Sequence, residues 1–405
     1  MDIKDDIFKA YDIRGKYPDE INEEVAYRVG GAVARYLKGE IVVGYDGRNS
    51  SPELAEAVIK GLKEHGSKVV NIGHSATPMF YFAVNYLKKS GGIMITASHN
   101  PEDMNGFKIV DEKSISVFPK DIKGLVFEEL KKTGNAKVTK YDIEEEYLKY
   151  LIQNSRIKKN EIDLEVELKA EGKALELAEK ILDDVGIKVS KNSGLVFEFD
   201  KDGDRLKVAN LRSDYLFGLF IKEELDKFHI FKPKFVHDLR FSKSIPEFIE
   251  EQGGEAIRSR VGHAFMKREM HQHKAKIGGE FSGHFYFKNM FYTEDSLMAM
   301  LRTLNIAKKG NLIEQTKIFQ KYYHSGEMNI KMEGDRYTVV EKLADEYDDG
   351  KVDRLDGLTV EYPNWWFNVR PSNTEQLLRF IVESDSETIM MEKVEELKKA
   401  IQSVE

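Results

Sequence analysis

Between residues 41 and 110 apolar runs alternate with helical stretches, and that alternation leaves the chain few folds to choose from. Ile41-Val42-Val43-Gly44-Tyr45 has the pattern of a strand. Ser51-Pro52 marks a helix start, with Ser as the cap and Pro at the first helical position. Leu54, Ala57, Val58 and Leu62 follow at helical spacing. Lys68 to Gly73 is a second strand. Thr77-Pro78 opens a second helix, with Phe80, Ala83, Val84 and Leu87 on one face, and Gly92 to Thr96 is a third strand. A β-α-β-α-β order needs crossover helices and so predicts a parallel sheet. Such sheets bind ligands beyond the carboxyl ends of their strands. Thr96-Ala97-Ser98-His99-Asn100-Pro101 falls at such an end and displays a hydroxyl there.

The rest of the chain reads as further modules. Residues 141 to 185 are charged and mostly helical in pattern, and Gly194 to Phe199 is a strand that ends in an acidic loop. Residues 230 to 300 form another α/β pattern, with a strand at Phe235 to His237, a helix at Ser244 to Gln252 and a strand end at Lys276 to Gly278. From about residue 326 the pattern becomes α+β: alternation at Met328 to Met332, a helix at Tyr337 to Tyr347, three strand-like runs and a final helix. These shifts predict four domains at 1–140, 141–229, 230–325 and 326–405, with a hinge near His324-Ser325-Gly326.

Composition narrows the chemistry. The 405 residues include no cysteine, which excludes thiolate metal sites, iron–sulfur clusters and thiol catalysis. No apolar stretch approaches the ~20 residues of a membrane span, and Met1-Asp2-Ile3-Lys4-Asp5-Asp6 has no signal-peptide pattern. A cytoplasmic protein is the expectation. A net charge of −8 without a long basic block argues against a nucleic-acid partner.

Four loops carry functional groups. A serine such as Ser98 is a weak nucleophile until a base or metal activates it. In Asp200-Lys201-Asp202-Gly203-Asp204-Arg205, three alternate carboxylates can converge on a hard cation such as Mg²⁺. An EF-hand does not fit, because its sixth and twelfth positions are here Arg205 and Leu211. Gly278-Gly279-Glu280-Phe281-Ser282-Gly283-His284 offers groups that suit vicinal sugar hydroxyls. Arg370-Pro371-Ser372-Asn373-Thr374-Glu375 offers a guanidinium fork and small polar donors that suit a phosphate. Phosphoryl transfer on a phosphorylated sugar is the reaction class that uses all four. His271-Gln272-His273 has no obvious partner at metal spacing and reads as a surface turn.

At this point the chain resembles the α-D-phosphohexomutase family. The resemblance runs through Tyr11-Asp12-Ile13-Arg14-Gly15, Gly44-Tyr45-Asp46-Gly47-Arg48, Thr96 to Pro101, Asn105-Gly106-Phe107-Lys108, the aspartate loop, Val261-Gly262-His263, Gly279 to His284 and Arg370 to Glu375. Asn105 to Lys108 and Arg370 to Glu375 resemble the phosphomannomutase/phosphoglucomutase branch rather than phosphoglucosamine mutases. The resemblance implies three α/β mixed-sheet domains, the second shortened, and a C-terminal α+β domain around a central cleft. It implies a phosphoserine at Ser98, with Mg²⁺ bound by Asp200, Asp202, Asp204 and that phosphate. Glu280 and Ser282 are expected to hold the sugar, and Arg370, Ser372, Asn373 and Thr374 its remote phosphate. Arg14, His99, Lys108, Arg205, Lys267 and His284 are expected to act in proton transfer or charge stabilisation. Hexose phosphates are the expected partners, a hexose 1,6-bisphosphate the activator, and a monomer or homodimer the expected state. Two positions depart from the family: Lys201, where Gly is usual, and Phe281, where Met is common. Phosphoglucosamine mutase, a non-catalytic sugar-phosphate scaffold and a phosphatase are the competing readings.

Overall fold

The computed structural model describes residues 3–129, 131–226, 232–372 and 375–404. The chain packs as two units, Met1–Leu211 with Ser282–Gly310, and Arg212–Phe281 with Asn311–Glu405.

In the first unit six strands lie in the order Ile13–Lys16, Met104–Asp111, Gly91–Ile95, Glu40–Tyr45, Lys68–His74 and Val138–Lys140. The expected strands at 40–45, 68–74 and 91–95 are parallel. Met104–Asp111 and Ile13–Lys16 add to their edge antiparallel, so the sheet is mixed. Apolar faces of the crossover helices, including Leu54, Val58 and Leu62, bury against Ile41, Val43 and Ile93. The helix expected to be capped by Ser51 starts at Ser51 itself, with Ser50 in the cap position and no side-chain cap bond. The Ser51 hydroxyl is committed elsewhere, donating to Asp46 Oδ1 at 2.6 Å.

A second sheet in this unit runs Leu206–Val208, Val196–Phe199, Glu165–Lys169, Lys188–Val189, and carries the helix Gly172–Val185. Two of its strands have only two and three residues, in keeping with a trimmed domain. Glu165–Lys169 lies in the stretch expected to be mostly helical. Its strand period rests on Val166 and Leu168 alone, set between charged residues and flanked by helices. The unit also holds the hairpin Phe285–Phe287/Thr293–Glu294 and the helix Ser296–Ala307. Asp295 caps that helix, its Oδ1 accepting from Met298 N at 2.8 Å.

In the second unit Lys234–Asp238 pairs in parallel with Glu255–Ser259 and Ile277–Gly279. Helices Ser213–Leu225, Ser244–Glu251 and His263–His273 accompany these strands. His271-Gln272-His273 is the last turn of a helix rather than a loop, and His273 Nε2 meets Glu269 Oε2 at 3.2 Å, one helical turn back. The C-terminal sheet runs Tyr323–His324, Leu377–Ser384, Trp365–Pro371, Leu358–Glu361, Lys351–Asp353, with Met328–Lys331 also paired to Leu377–Ser384. Helices Arg336–Glu346 and Glu387–Val404 complete this α+β part. The segment expected as a hinge is bonded into the sheet: Tyr323 and His324 pair with it, and Ser325 N donates to Val382 O at 2.9 Å. Among the described residues no helix is long and apolar enough to cross a membrane.

Candidate active site

The strand Gly91–Ile95 ends at the serine loop, and Ser98 follows with a left-handed backbone, φ 53°. That conformation is unfavourable for a residue with a side chain and persists only where neighbours enforce it. Thr96 Oγ1 accepts from Ser98 N at 2.8 Å, and Asn100 N donates to Ala97 O at 3.1 Å. Ser98 Oγ lies 3.3 Å from His99 Nδ1. Burial first, then Arg205 and Arg14, push the His99 pKa down to about 4, so the ring is neutral near pH 7.

Arg14 reaches the same loop from the edge strand Ile13–Lys16, across the intervening Met104–Asp111. Its Nη1 donates to Asn100 Oδ1 at 3.2 Å, and its Nη2 and Nε bond to Asp12 Oδ2. Gly106 makes this approach possible. It faces Arg14 across the two strands, and a Cβ there would sit 2.1 Å from Ile13 O. Burial works against the charge on Arg14, but Asp12 at close range and Asp202 and Asp204 beyond it hold its pKa above the ordinary value.

The aspartate loop lies between the strands Val196–Phe199 and Leu206–Val208. One carboxylate oxygen from each of Asp200, Asp202 and Asp204 lies within 4.8 Å of the others. Lys108 enters from Met104–Asp111 and is buried, its Nζ 2.7 Å from both Asp202 Oδ2 and Asp204 Oδ2. Burial lowers the Lys108 pKa, but the two aspartates outweigh it and hold the amine protonated. Thr77 Oγ1 also donates to Asp202 Oδ2, at 2.8 Å. Burial, and then Asp204 and Asp202, raise the Asp200 pKa and so favour its neutral form. Among the described residues Asp202 Oδ1 and Asp200 Oδ2 are buried without a hydrogen-bond partner, though Asp200 Oδ2 lies 3.5 Å from Arg205 Nε as an ion pair. Orphaned carboxylate oxygens are costly in a protein interior. A hard dication with oxygen ligands fits this donor set. Lys201 turns away from the triad and pairs with Glu102 and Glu171.

His284 faces the same aspartates. Its Nε2 is 3.2 Å from Asp204 Oδ1 and 3.3 Å from Arg205 Nε, and its Nδ1 is 2.9 Å from Ser282 Oγ. The backbone fixes this meeting, since Leu206 N donates to Gly283 O at 2.9 Å. Gly283 has φ 92°, and a Cβ there would lie 2.7 Å from Leu206 O. The first unit thus gathers Ser98, His99, Lys108, Arg14, Arg205, Ser282, His284 and the three aspartates.

The second unit holds the remaining candidates. Glu280 is buried and accepts from Gly262 N at 2.9 Å, next to the helix that carries the fully buried Lys267. Phe281 N donates to Asp238 Oδ2 at 3.0 Å, and its ring stacks on His324 at 5.5 Å. Arg370 and Ser372 are both buried at the end of Trp365–Pro371 and just beyond it. Asn373 and Thr374 lie outside the described residues. Arg370 Nη2 donates to Glu327 Oε2 at 2.9 Å, while Arg240 Nη1 and Arg379 Nη1 reach the same carboxylate at 2.8 and 3.1 Å. Arg370 Nε and Arg379 Nε are buried with no hydrogen-bond partner among the described residues.

Several of these groups escape sequence reasoning. Asp12, Asp46 and Arg48 lie inside motifs that were visible as motifs, but nothing local assigns them a role. Glu327, Arg240 and Arg379 lie 52 and 87 residues apart along the chain and carry no shared local signal.

The fold and the first unit's site define a multidomain α/β protein with a cation-ready acidic cluster beside a serine loop. Comparison with known proteins narrows this. Family models match in three parts: phosphoglucomutase/phosphomannomutase α/β/α domain I at residues 5–134, domain III at 212–322 and the C-terminal domain at 327–400. A phosphomannomutase of Methanocaldococcus jannaschii is 38% identical, covering 98% of this chain and 97% of its own. That alignment spans 447 positions, more than the 405 residues of this chain. A Xanthomonas campestris protein described as phosphohexose mutases is 32% identical over 95% of this chain and 96% of its own. The crystal structure of a Burkholderia thailandensis phosphoglucomutase/phosphomannomutase family protein superposes with a TM-score of 0.88 at 26% identity, covering 100% and 98% of the two chains. The chain belongs to the phosphoglucomutase/phosphomannomutase family of α-D-phosphohexomutases.

Proposed function

We propose that the protein moves a phosphoryl group reversibly between the 1- and 6-positions of a hexose phosphate, mannose or glucose, through phosphoSer98 and a 1,6-bisphosphate. The observation that carries this reading is the left-handed Ser98, with a neutral histidine beside it, in one unit with an aspartate triad whose Asp202 Oδ1 and Asp200 Oδ2 are buried without a hydrogen-bond partner. Family membership supports the same reaction.

In the proposed cycle the bond from phosphorus to Ser98 Oγ breaks as a sugar hydroxyl oxygen bonds to that phosphorus. The hydroxyl proton leaves to a base. His99 and His284 are the imidazoles of the first unit's site, and His99 is the one held neutral next to the serine oxygen. Lys108 is held protonated, so it suits charge stabilisation rather than proton acceptance. Arg14 and Arg205 add positive charge. Asp200, Asp202 and Asp204 would hold Mg²⁺, which when bound supplies neutralisation of the transferring phosphoryl. In the second half the bisphosphate presents its other phosphate, and Ser98 Oγ takes it back. Glu280 and Ser282 are assigned to the sugar hydroxyls. Arg370, Ser372, Asn373 and Thr374 are assigned to the phosphate that is not reacting, whose binding energy would orient the other end. A hexose 1,6-bisphosphate would prime Ser98.

Phosphorus NMR tests the reading. Mannose 1-phosphate, glucose 1-phosphate and glucosamine 1-phosphate are supplied separately with Mg²⁺ and a trace of hexose 1,6-bisphosphate. Conversion of mannose or glucose 1-phosphate to the 6-phosphate, lost in Ser98→Ala, is expected. Conversion confined to the amino sugar would replace the substrate assignment, and no conversion of any of the three would end the mutase reading.

A further inference from the structure

Arg48 sits in the turn between the strand Glu40–Tyr45 and the helix Ser51–Glu64, and it is buried at 4% exposure. Its guanidinium spends every donor it has. Nη2 donates to Ser98 O at 2.7 Å and Asn100 O at 2.8 Å. Nη1 donates to Pro101 O at 2.6 Å and Met104 O at 3.1 Å. Nε donates to Asp46 Oδ2 at 3.2 Å. A guanidinium has five N–H donors in a fixed planar fork, and four of them go to backbone carbonyls of the serine loop and of Met104, the first residue of the strand that follows it.

The loop's shape follows from this. The carbonyls of Ser98 and Asn100 must converge on one nitrogen, and they can do so only if the chain turns between them. Ser98 is the residue with the left-handed backbone, φ 53°. The arginine is itself fixed from behind. Asp46 Oδ1 accepts from Arg48 N at 3.1 Å and from Ser51 Oγ at 2.6 Å, and Asp46 N donates to Ile95 O at 3.0 Å.

We propose that Arg48 is a positioning residue for phosphoryl transfer: its fork templates the strained serine loop and aims Ser98 Oγ, without touching substrate. This rests on the mutase reading above. Lysine cannot replace it, because an ammonium has three donors and no planar fork, leaving at least two of the five acceptors without their partner. A small displacement of a reacting atom costs on the order of a hundredfold in rate. The loss therefore falls on kcat, and KM for hexose phosphate stays put because the sugar and remote-phosphate residues are elsewhere.

The experiment compares wild type, Arg48→Lys and Arg48→Gly, with and without added guanidinium. Turnover and hydrogen exchange at the amides of residues 98–104 are followed. Arg48→Lys is expected to lose about a hundredfold in kcat with KM within about threefold, and to exchange faster in that loop than elsewhere. Guanidinium is expected to restore part of both in Arg48→Gly. Loop protection equal to wild type, or kcat within about twofold of it, would overturn the proposal. If the glycine variant does not fold, the lysine variant decides alone. If wild type itself neither takes phosphate on Ser98 nor turns over, the mutase reading fails, while the exchange comparison still decides whether Arg48 holds the loop.

Discussion

Replacing Glu327 with Gln removes one negative charge from among three arginines, and the structure fixes what that is worth. Arg240, Arg370 and Arg379 all donate to this carboxylate, and its side chain is only 16% exposed, so solvent screens it little. Burial alone would raise its pKa. Arg240 and Arg370, then Arg379, outweigh burial and hold it at about 2, against an ordinary 4.5. At roughly 1.4 kcal/mol per pH unit, that gap corresponds to about 3 kcal/mol of stability. Because the folded pKa is the lower one, this contribution is complete above pH ~4.5 and drains as the pH falls toward ~2. Glutamine keeps the shape and removes the negative charge shared by the three arginines, leaving Arg370 without a carboxylate while Arg240 keeps Asp238 and Arg379 keeps Glu375. We expect Glu327→Gln to be about 3 kcal/mol less stable than wild type at pH 7, with the difference shrinking to about half by pH 3. The chain's two tryptophans, Trp365 and Trp366, lie on a strand in the same unit. Tryptophan fluorescence in urea therefore follows unfolding where the perturbation is. A difference that stays constant between pH 7 and pH 3, or that is under ~0.5 kcal/mol at pH 7, would refute the electrostatic account.

Other expectations concern the first unit. Asp200→Ala and Asp202→Ala are expected to weaken Mg²⁺ binding at least about tenfold by calorimetry. Lys201→Ala should change it by less than about threefold, because Lys201 is paired with the exposed Glu102 and with Glu171 rather than with the triad; equal losses in all three would contradict that geometry. Asp295 caps a helix yet is fully buried, and burial raises its pKa to about 7. A carboxyl pKa raised in the fold costs nothing below the ordinary ~3.8, destabilises increasingly as the pH climbs from there toward ~7, and exacts its full penalty above that. Asp295→Asn keeps an acceptor for Met298 N, and its amide N–H can donate to the Tyr147 hydroxyl oxygen where the carboxylate accepted from it, so it should match wild type near pH 3 and be more stable by ~2 kcal/mol or more at pH 8.5. Equal stability of the two proteins at both pH values would count against it.

Much of the fold is legible because its signals are local. The strands at 40–45, 68–74 and 91–95 announce themselves by apolar runs set between helix starts. The serine and aspartate loops stand out because their chemistry is concentrated within six residues each. What escapes is long-range. Nothing near Glu327 says that three arginines will converge on it. The strand Glu165–Lys169 has too few apolar residues to signal against its helical flanks. Ser51 looks like a cap, but Asp46 takes its hydroxyl. His273 lacks a visible partner until a helix places Glu269 one turn behind it. Arg48 is present in a recognisable motif, yet its hold on Ser98 needs a strand, a turn and a loop brought together in space.

Phosphate on Ser98 is the centre of the account. The most direct measurement incubates the protein with labelled glucose 1,6-bisphosphate and Mg²⁺, maps the modified residue by peptide mass, then chases with unlabelled mannose 1-phosphate. The account predicts one labelled phosphate, on Ser98, whose label the chase moves into the 6-position of mannose 1,6-bisphosphate and of mannose 6-phosphate, while Ser98 takes back the unlabelled phosphate from position 1. Label on another residue, or label on Ser98 that the chase leaves in place, would contradict it.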